Sequence, residues 1–464
     1  MEELLCSEKL FAPLSAVMAA SLLGSYSAAD TRAAQPMCDM TTMEIVNDMG
    51  IGINLGNTFE SSGDWIEQWG DGTPNAYETA WGSPTVTEDL IKGYAAEGFD
   101  SLRIPVAWSN MMSKDGSYTI SDKYMARVKQ VTDWALNADL YVIVNLHWDG
   151  GWLEKLPTDH DNVMKKYNAI WTQVSSEFKD YGDKLIFESQ NEELGWNDVW
   201  NQWSGSTNGK AESFGYVNEV NQSFVDIVRN SGGNNAKRHL LISGYNTSID
   251  LTCDPLFKMP TDPAGRCAVS VHYYTPSTFT ILTEDADWGK SAYTWGSDAE
   301  LAELKQQMDL VKTTFVDKGI PVIIGEYGAT KDNKDPESVR RYLTSVCEAA
   351  LSRGGICPVM WDVTDLHYDR KTYKMKDNEL HQSLLALKEK YVTKASATTT
   401  EPAPSKLMGD ANNDGAVNVS DLVTVQQFLL GNGDLADWEA ADLCQDTEIN
   451  IYDIILLRKM LITQ

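Results

Sequence analysis

The chain of 464 residues has little positive charge, with 38 Lys and Arg against 67 Asp and Glu and a formal net charge of −29. Nucleic-acid binding requires a basic patch or stripe, and no segment of the sequence supplies one. The composition therefore excludes nucleic acid as a partner and indicates an acidic, solvated surface.

Long apolar runs are also scarce, and after residue 30 none reaches the roughly 18 residues that a membrane helix requires. The first run, from Leu10 to Leu23, precedes Ser27 and Ala29 at the spacing that a signal peptidase accepts. We therefore expect residues 1–29 to be a signal peptide and the mature protein to be secreted, extracellular and without a membrane span.

The seven Cys residues form no CxxC pair of the kind that metal and redox sites use. Cys6 would leave with the signal peptide, and Cys253 and Cys267 could close a loop, although their spacing does not require a disulfide. Aromatic residues are plentiful instead. The 15 Trp and 19 Tyr offer flat faces that suit sugar rings, and core packing accounts for about half of them.

A stretch rich in Thr, Ala and Pro, VTKASATTTEPAPSK after Tyr391, cannot build a core and is typical of an extended linker. We place the linker at residues 392–407, between a large domain at residues 40–391 and a small one at residues 408–464. In the large domain, eight short apolar runs alternate with segments of helical periodicity. This alternation predicts an α/β fold, a (β/α)8 TIM barrel, whose strands are continuously apolar because both faces are buried.

Polar side chains gather where the predicted strands end. They are Asn54, Asn57, Arg103, His147, Glu192, His272, Tyr274, Glu326 and Trp361. In a barrel of this type the carboxyl ends of the strands surround the active site, so we expect these residues to converge on one cleft.

Two of these residues are carboxylates, Glu192 after the fourth strand and Glu326 after the seventh. Glycoside cleavage needs two carboxyl groups, one to protonate the leaving oxygen and one to attack the anomeric carbon or activate water. A separation of about 5 to 5.5 Å gives retention and one of about 6.5 to 9.5 Å gives inversion, and the sequence leaves this open. Arg103 could hold one carboxylate ionised, and His272 and Tyr274 can hydrogen-bond a carboxylate or the sugar.

The motifs INLGNTFE, SLRIPVAW, VNLHWDGGW, FESQNEE, VHYYTP, IIGEYG and MWD follow the order found in glycoside hydrolase family 5, which residues 40–390 resemble. The resemblance implies that Glu192 is the general acid/base and Glu326 the nucleophile of a retaining double displacement. It also implies that Asn191 binds the sugar 2-hydroxyl and that Trp361 stacks beside the cleaved bond. The other substrate-binding residues would be Asn54, Arg103, His147, Trp148, His272 and Tyr274.

This chain has Trp148 where many members carry a second His, and Ile53 where many carry an aromatic residue. Members with the NLGNT motif most often cleave β-1,4-glucan internally, so we expect an endo-β-1,4-glucanase, a cellulase, with no cofactor for catalysis. Xyloglucan, mannan and mixed-linkage glucan are alternative substrates. A catalytically silent carbohydrate-binding protein is the alternative of another class, and it would predict a missing carboxylate or a blocked cleft.

Glu192 must carry a proton before the first step of such a reaction. The charge of Glu326 a few ångströms away is expected to raise the pKa of Glu192 until the glycosyl-enzyme forms, after which Glu192 can act as a base.

The small domain repeats itself after 32 residues: DANNDGAVNVSDLVTVQQFLL from Asp410 is echoed by DLCQDTEINIYDIILLRKMLI from Asp442. The first copy fits positions 1, 3, 5, 7, 9 and 12 of a calcium loop, with Gly415 at the sharp turn. Its ligands would be Asp410, Asn412, Asp414, Ala416, Asn418 and Asp421. The second copy offers a weaker set, Asp442, Asp446, Glu448, Asn450 and Asp453, because Cys444 and Thr447 replace a ligand and the turn Gly.

Each loop is followed by a single helix, and the arrangement resembles a dockerin, the module by which cellulosomal enzymes bind the cohesin of a scaffoldin. The resemblance implies a small all-α calcium-binding domain that attaches the enzyme to a cellulosome. Apolar residues recur with helical spacing after both loops and predict packed helices instead of a disordered tail. These residues are Leu422, Val425, Leu429, Ile454, Leu457 and Leu461.

Overall fold

The computed structural model describes residues 37–192, 198–392, 407–444 and 449–463. The described chain divides between Lys388 and Glu389 into two compact units. The predicted signal peptide, Cys6 and nearly all of the predicted linker lie outside the described residues.

Eight parallel strands form a closed barrel in chain order, and β8 completes it by pairing with β1. The strands are β1 (Gly52–Asn54), β2 (Ser101–Ile104), β3 (Tyr141–Asn145), β4 (Leu185–Glu188), β5 (Leu240–Ser248), β6 (Cys267–Tyr273), β7 (Val322–Tyr327) and β8 (Ile356–Met360). Each strand lies within one of the eight predicted apolar runs or extends at most two residues beyond it, and the (β/α)8 TIM barrel is confirmed.

Helices follow the strands around the barrel. In the first unit they are α1 (Thr42–Asp48), α2 (Asp64–Trp69), α3 (Pro74–Glu78), α4 (Glu88–Ala96), α5 (Asp122–Asn137), α6 (His160–Glu177), α7 (Lys210–Asn230), α8 (Ile249–Thr252), α9 (Ser277–Thr280), α10 (Asp298–Thr314), α11 (Pro336–Leu351) and α12 (Asn378–Tyr391). The connection from β5 to β6 departs from the regular pattern because its helix, α8, has only four residues. A two-stranded sheet of β9 (Tyr368–Asp369) and β10 (Lys374–Met375) lies between β8 and α12 in the sequence.

Helix α1 packs against apolar barrel residues. Thr41 begins this helix with a capping box, in which its side chain accepts from the backbone of Glu44 and the Glu44 side chain accepts in return. Ile45 of α1 and Met49, which directly follows the helix, join a buried cluster with strand residues such as Ile323. Shortening Ile323 to Ala would cost roughly 2 to 5 kcal/mol because it would leave a cavity in this close-packed cluster.

The second unit contains α13 (Val419–Leu429), α14 (Trp438–Ala441) and α15 (Ile451–Thr463), and α13 contacts α15. Five of the six predicted packing residues join its core, namely Leu422, Val425, Ile454, Leu457 and Leu461. The prediction for Leu429 is wrong, because this residue ends α13 and remains 38% exposed.

Within the described part of the chain, no helix is both long and apolar enough to cross a membrane. The thiols of Cys253 and Cys267 are free, so the loop that they could have closed is not cross-linked.

Candidate active site

The strand register brings the predicted polar residues to one level at the carboxyl ends of the strands. Asn54 of β1 is paired with Arg103 of β2, and His272 of β6 is paired with Glu326 of β7. Glu192 follows four residues after the end of β4. Most of the predicted site residues therefore meet in one cluster.

Arg103 lies at the centre of this cluster and is fully buried. Its Nη1 donates to Glu326 Oε1 at 2.8 Å and to Asn54 Oδ1 at 3.0 Å, and its Nη2 donates to Asn191 Oδ1 at 2.8 Å. Its Nε donates to Glu188 Oε2 at 2.7 Å. Burial alone would lower the pKa of Arg103, but the charges of Glu188 and Glu326 outweigh it and raise the pKa above its ordinary value. The guanidinium is therefore a permanent positive charge that orients four side chains.

Glu326 is held by donors on both of its oxygens. Arg103 binds Oε1, and the hydroxyl of Tyr274 donates to Oε2 at 2.9 Å. Burial and the charge of Glu326 raise the pKa of Tyr274 well above its ordinary value, so Tyr274 stays a donor. Only 7% of the Glu326 side chain is exposed. This carboxylate is thus fixed in one orientation.

Glu192 has a different environment, with 43% of its side chain exposed. Its Oε1 lies 2.7 Å from His272 Nδ1 and 3.5 Å from Thr247 Oγ1. Burial raises the pKa of Glu192, but the hydrogen bond and charge of His272 outweigh it and lower the pKa. Burial also lowers the pKa of His272, and the charges of Glu326 and Glu192 outweigh that effect and raise it.

The expected rise in the pKa of Glu192 is therefore absent in this ligand-free arrangement. His272 Nδ1 lies 3.7 Å from Glu326 Oε2 as well as 2.7 Å from Glu192. The charge of Glu326 therefore acts on the imidazole, which also hydrogen-bonds Glu192. The imidazole can lie here because residue 325 is a glycine: a Cβ at this position would lie only 3.1 Å from His272 Nε2.

The two carboxylates approach each other closely. One donor atom each from Glu192, His272 and Glu326 lie within 4.8 Å of one another. Such a trio could also hold a cation, but Arg103 already provides positive charge at Glu326.

Trp361 and His147 form the aromatic side of the site. Their rings are stacked, with centroids 6.0 Å apart and an interplanar angle of 7°. Burial and the charge of Arg103 lower the pKa of His147 to about 3, so it is neutral, and Asn145 Nδ2 lies 3.2 Å from its Nδ1. Trp148 is 43% exposed, and among the described residues no hydrogen bond or ring contact joins it to the cluster.

Sequence reasoning missed Glu188 and Ser270. Glu188 is fully buried in β4, where it accepts from Arg103 and, at 2.6 Å, from the hydroxyl of Ser270. A carboxylate inside an apolar strand requires a buried partner, and this signal could have identified Glu188 as the counter-ion of Arg103.

Comparisons with known proteins agree with this geometry. The family model for cellulase, glycosyl hydrolase family 5, matches residues 61–366. The chain belongs to glycosyl hydrolase family 5. The model for a dockerin type I domain matches residues 408–462, so this hydrolase also carries a dockerin domain.

The family 5 chain is similar to several named endoglucanases. It is 32% identical to Endoglucanase B of Clostridium cellulovorans over 443 residues, and these residues cover 93% of each protein. It is 34% identical to a xyloglucan-specific endo-beta-1,4-glucanase of Bacteroides ovatus, over 72% of this chain and 68% of that one. Among solved structures, a broad-specificity endoglucanase from an uncultured bovine rumen ciliate matches with a TM-score of 0.67 and 35% identity, over 76% of this chain and 99% of that one.

The first loop of the dockerin domain is organised around two buried carboxylates. Asp421 accepts from the backbone N–H groups of Asn412 and Asn418, at 3.1 and 2.8 Å. Asp410 accepts from those of Asp414 and Gly415, at 3.0 and 2.8 Å. The described residues place no Lys or Arg in an ion pair with either carboxylate. Oxygen donors and uncompensated buried negative charge fit a hard cation such as Ca²⁺.

The second loop repeats part of this pattern. Asp453 accepts from the backbone of Cys444 and Asn450 at 3.1 and 2.8 Å, the same distances as in the first loop. Asp442, Cys444 and Asp453 each bring one donor atom within 4.8 Å of the others. The predicted ligands Asp446 and Glu448 lie outside the described residues.

Proposed function

We propose that this family 5 hydrolase cleaves β-1,4-glucan within the chain by a retaining double displacement. The observation that supports the mechanism is that one carboxylate oxygen of Glu192 lies within 4.8 Å of one carboxylate oxygen of Glu326, so the two groups are neighbours. Retaining enzymes hold their carboxyl groups about 5 to 5.5 Å apart, whereas inverting enzymes need about 6.5 to 9.5 Å to admit a water molecule.

Glu326 is the nucleophile in this proposal. Arg103 donates to one of its oxygens and Tyr274 to the other, which fixes the orientation of the carboxylate. Attack of Glu326 on the anomeric carbon breaks the glycosidic bond and forms a glycosyl ester. Asn191 is oriented through its Oδ1 by Arg103, which leaves its amide N–H groups for the sugar 2-hydroxyl.

Glu192 supplies the proton. It is the exposed member of the pair with His272, whose side chain is only 3% exposed, so Glu192 is the one that can reach the leaving oxygen. In the second step Glu192 takes a proton from water, which attacks the glycosyl ester and releases Glu326. Because the ester has no charge, the pKa of the pair falls once the ester forms, so Glu192 is left deprotonated and can accept the proton of the attacking water.

The surface of the barrel supports a polymeric substrate. In the described barrel, the exposed tryptophans all lie in the stretches from β1 to α4, β3 to α6, β4 to α7 and β6 to α10, which leave the strands at the end that bears the site. They are Trp65, Trp69, Trp81, Trp148, Trp203 and Trp288. Aromatic faces on this side suit a chain of glucosyl rings. Xyloglucan is the second candidate substrate, favoured by the name of the Bacteroides ovatus relative.

The dockerin domain is proposed to bind calcium and a protein partner. Asp410, Asn412, Asp414, Asn418 and Asp421 would hold Ca²⁺, with the carbonyl of Ala416, and the folded domain would bind a cohesin of a scaffoldin. We therefore place the enzyme outside the cell, in a cellulosome.

Release of reducing sugar from carboxymethylcellulose, xyloglucan and mannan tests the catalytic proposal, with the Glu326→Ala variant assayed beside the wild type. We expect activity on the glucans that the variant lacks. Undiminished activity in the variant would contradict the assignment of the nucleophile, and wild-type activity on mannan alone would contradict the substrate.

Removal of calcium tests the proposal for the second domain. We expect a chelator to abolish cohesin binding and to leave the hydrolysis of a soluble glucan unchanged, since the proposed ligands all belong to the dockerin domain. The Asp421→Ala variant should reproduce the effect without chelator, and cohesin binding that survives both treatments would contradict it.

A further inference from the structure

The cavity that contains Glu192 and Glu326 has a volume of about 510 Å³ and extends beyond them along residues that the mechanism does not use. Its wall includes the segment from Asn246 to Asp250, which spans the end of β5 and the start of α8, together with Ile281 and Gln307. The volume falls within the range of about 300 to 1,000 Å³ that is typical of ligand pockets. The cavity is therefore large enough to bind a part of the substrate beyond the reacting bond.

The backbone that forms this wall is strained. Asn246 and Thr247 have φ angles of 49° and 47°, a conformation that a β-branched residue such as Thr rarely adopts. The pairing of β5 with β6 shifts its register just before these residues, between Ser243 and Ser248. Strain of this kind is concentrated at binding and catalytic sites, where it positions specific groups.

The cavity contains both polar groups and an apolar surface, which are the two kinds of contact that a sugar makes. Gln307 Nε2 of α10 donates to Asp250 Oδ1 at 3.0 Å. The remaining oxygens and N–H group of this pair can accept from and donate to neighbouring hydroxyl groups. Ile281, which is 51% exposed, provides an apolar surface for the face of a ring.

The position of Glu192 decides which half of the substrate this cavity receives. The oxygen that Glu192 protonates must lie within hydrogen-bonding reach, and it belongs to the sugar that departs. β5, which carries Thr247 and leads into α8, is the neighbour of β4, the strand that precedes Glu192. The departing sugar therefore faces the wall formed by β5, α8 and α10.

We propose that Gln307 and Asp250 are specificity-determining residues, which hydrogen-bond hydroxyl groups of the sugar on the leaving-group side of the glucan. The inference rests on the proposed function and assigns to it two residues on helices outside the catalytic cluster. It predicts that the pair contributes only when the leaving group is a sugar.

The test compares cellopentaose with p-nitrophenyl β-cellobioside, whose leaving group is not a sugar. We expect Gln307→Ala to lower kcat/KM on cellopentaose about tenfold and to leave the aryl substrate within about twofold. Asp250→Asn keeps the shape of the pair and should give a smaller loss with the same selectivity. The matched control is Gln222→Ala, which breaks a similar pair with Asp226, 2.9 Å long, on α7.

Equal losses on both substrates would overturn the inference, because they would mean that the pair supports Glu192 or the fold. Unchanged rates on both substrates would overturn it as well. A wild-type protein that hydrolyses neither substrate would contradict the proposed function instead. In that case the binding of cellopentaose, measured by calorimetry, still tests the inference. The inference requires that Gln307→Ala binds cellopentaose more weakly than Gln222→Ala does.

Discussion

The two carboxylates at the centre of the site are the same residue type in two different environments. Glu326 is 7% exposed and receives donors from Arg103 and Tyr274 on separate oxygens. Glu192 is 43% exposed and lies within hydrogen-bonding distance, 2.7 Å, of His272 Nδ1. A fixed anion suits attack on carbon, and an accessible group that exchanges a proton suits acid and base catalysis. The difference in environment thus supports the proposed roles of Glu326 as nucleophile and Glu192 as acid and base.

The largest effect is expected from Glu326→Gln, which removes the nucleophile. We expect kcat on both polymeric and aryl substrates to fall by a factor on the order of 10⁴ to 10⁶, because no other group can form the ester. Initial rates on carboxymethylcellulose and p-nitrophenyl β-cellobioside measure it. Glu303→Gln, at an exposed position of α10, is the control and should be neutral.

Glu192→Gln is expected to have an effect that depends on the leaving group. Without the proton donor, cleavage of the polymer should fall by a factor of about 10² to 10⁴. The first step on an aryl substrate with a good leaving group needs little protonation and should be spared. A burst of nitrophenol measures that step, and an equal loss on activated and unactivated substrates would count against the assignment.

The pair of Glu192 and His272 predicts a change in pH dependence. The pair keeps its shared proton until the pH rises through the raised pKa of His272. Gln at position 272 holds no titrating proton, so we expect His272→Gln to move the alkaline limb of kcat/KM to lower pH and to lower the maximum about tenfold or more. His160→Gln, at a surface histidine paired with Glu219, should keep the wild-type profile. An unshifted limb in His272→Gln would mean that His272 only supports the structure.

The smallest effects are expected from removing the hydroxyl groups that contact the two carboxylates, Tyr274 at Glu326 and Thr247 at Glu192. Tyr274→Phe removes a 2.9 Å hydrogen bond to the charged Glu326, and we expect kcat to fall about tenfold, consistent with the roughly 1.5 to 3 kcal/mol of such bonds. Thr247→Val removes a 3.5 Å contact to Glu192 and should change kcat by less than about twofold. A larger loss for Thr247→Val than for Tyr274→Phe would reverse the comparison.

The barrel was predictable because each of its strands is buried on both faces and therefore stands out as a short apolar run. The positions of Arg103, His272 and Glu326 at strand ends followed from the same pattern. Which residues would pair was not predictable. His272 and Glu192 are 80 residues apart in sequence, and Arg103 and Glu326 are 223 apart, so only the closed barrel brings them together.

Two further differences between sequence and structure have local causes. The charge of Glu326 was expected to act on Glu192, but the imidazole of His272 lies within 3.7 Å of one carboxylate and 2.7 Å of the other and carries the effect. In the dockerin domain, helical spacing predicted that Leu429 is packed, but α13 ends at this residue. Helical periodicity identifies which face of a helix is packed, but it does not show where along the helix the packing ends.

The most direct test of the account is the anomeric configuration of the first product. Proton NMR spectra recorded in the first minutes of cellotetraose hydrolysis would resolve it, before mutarotation mixes the two anomers. The short distance between Glu192 and Glu326 predicts that the β-anomer forms first, by way of a glycosyl ester on Glu326. If the α-anomer forms first, water attacks directly and the assignment of Glu326 as nucleophile is contradicted.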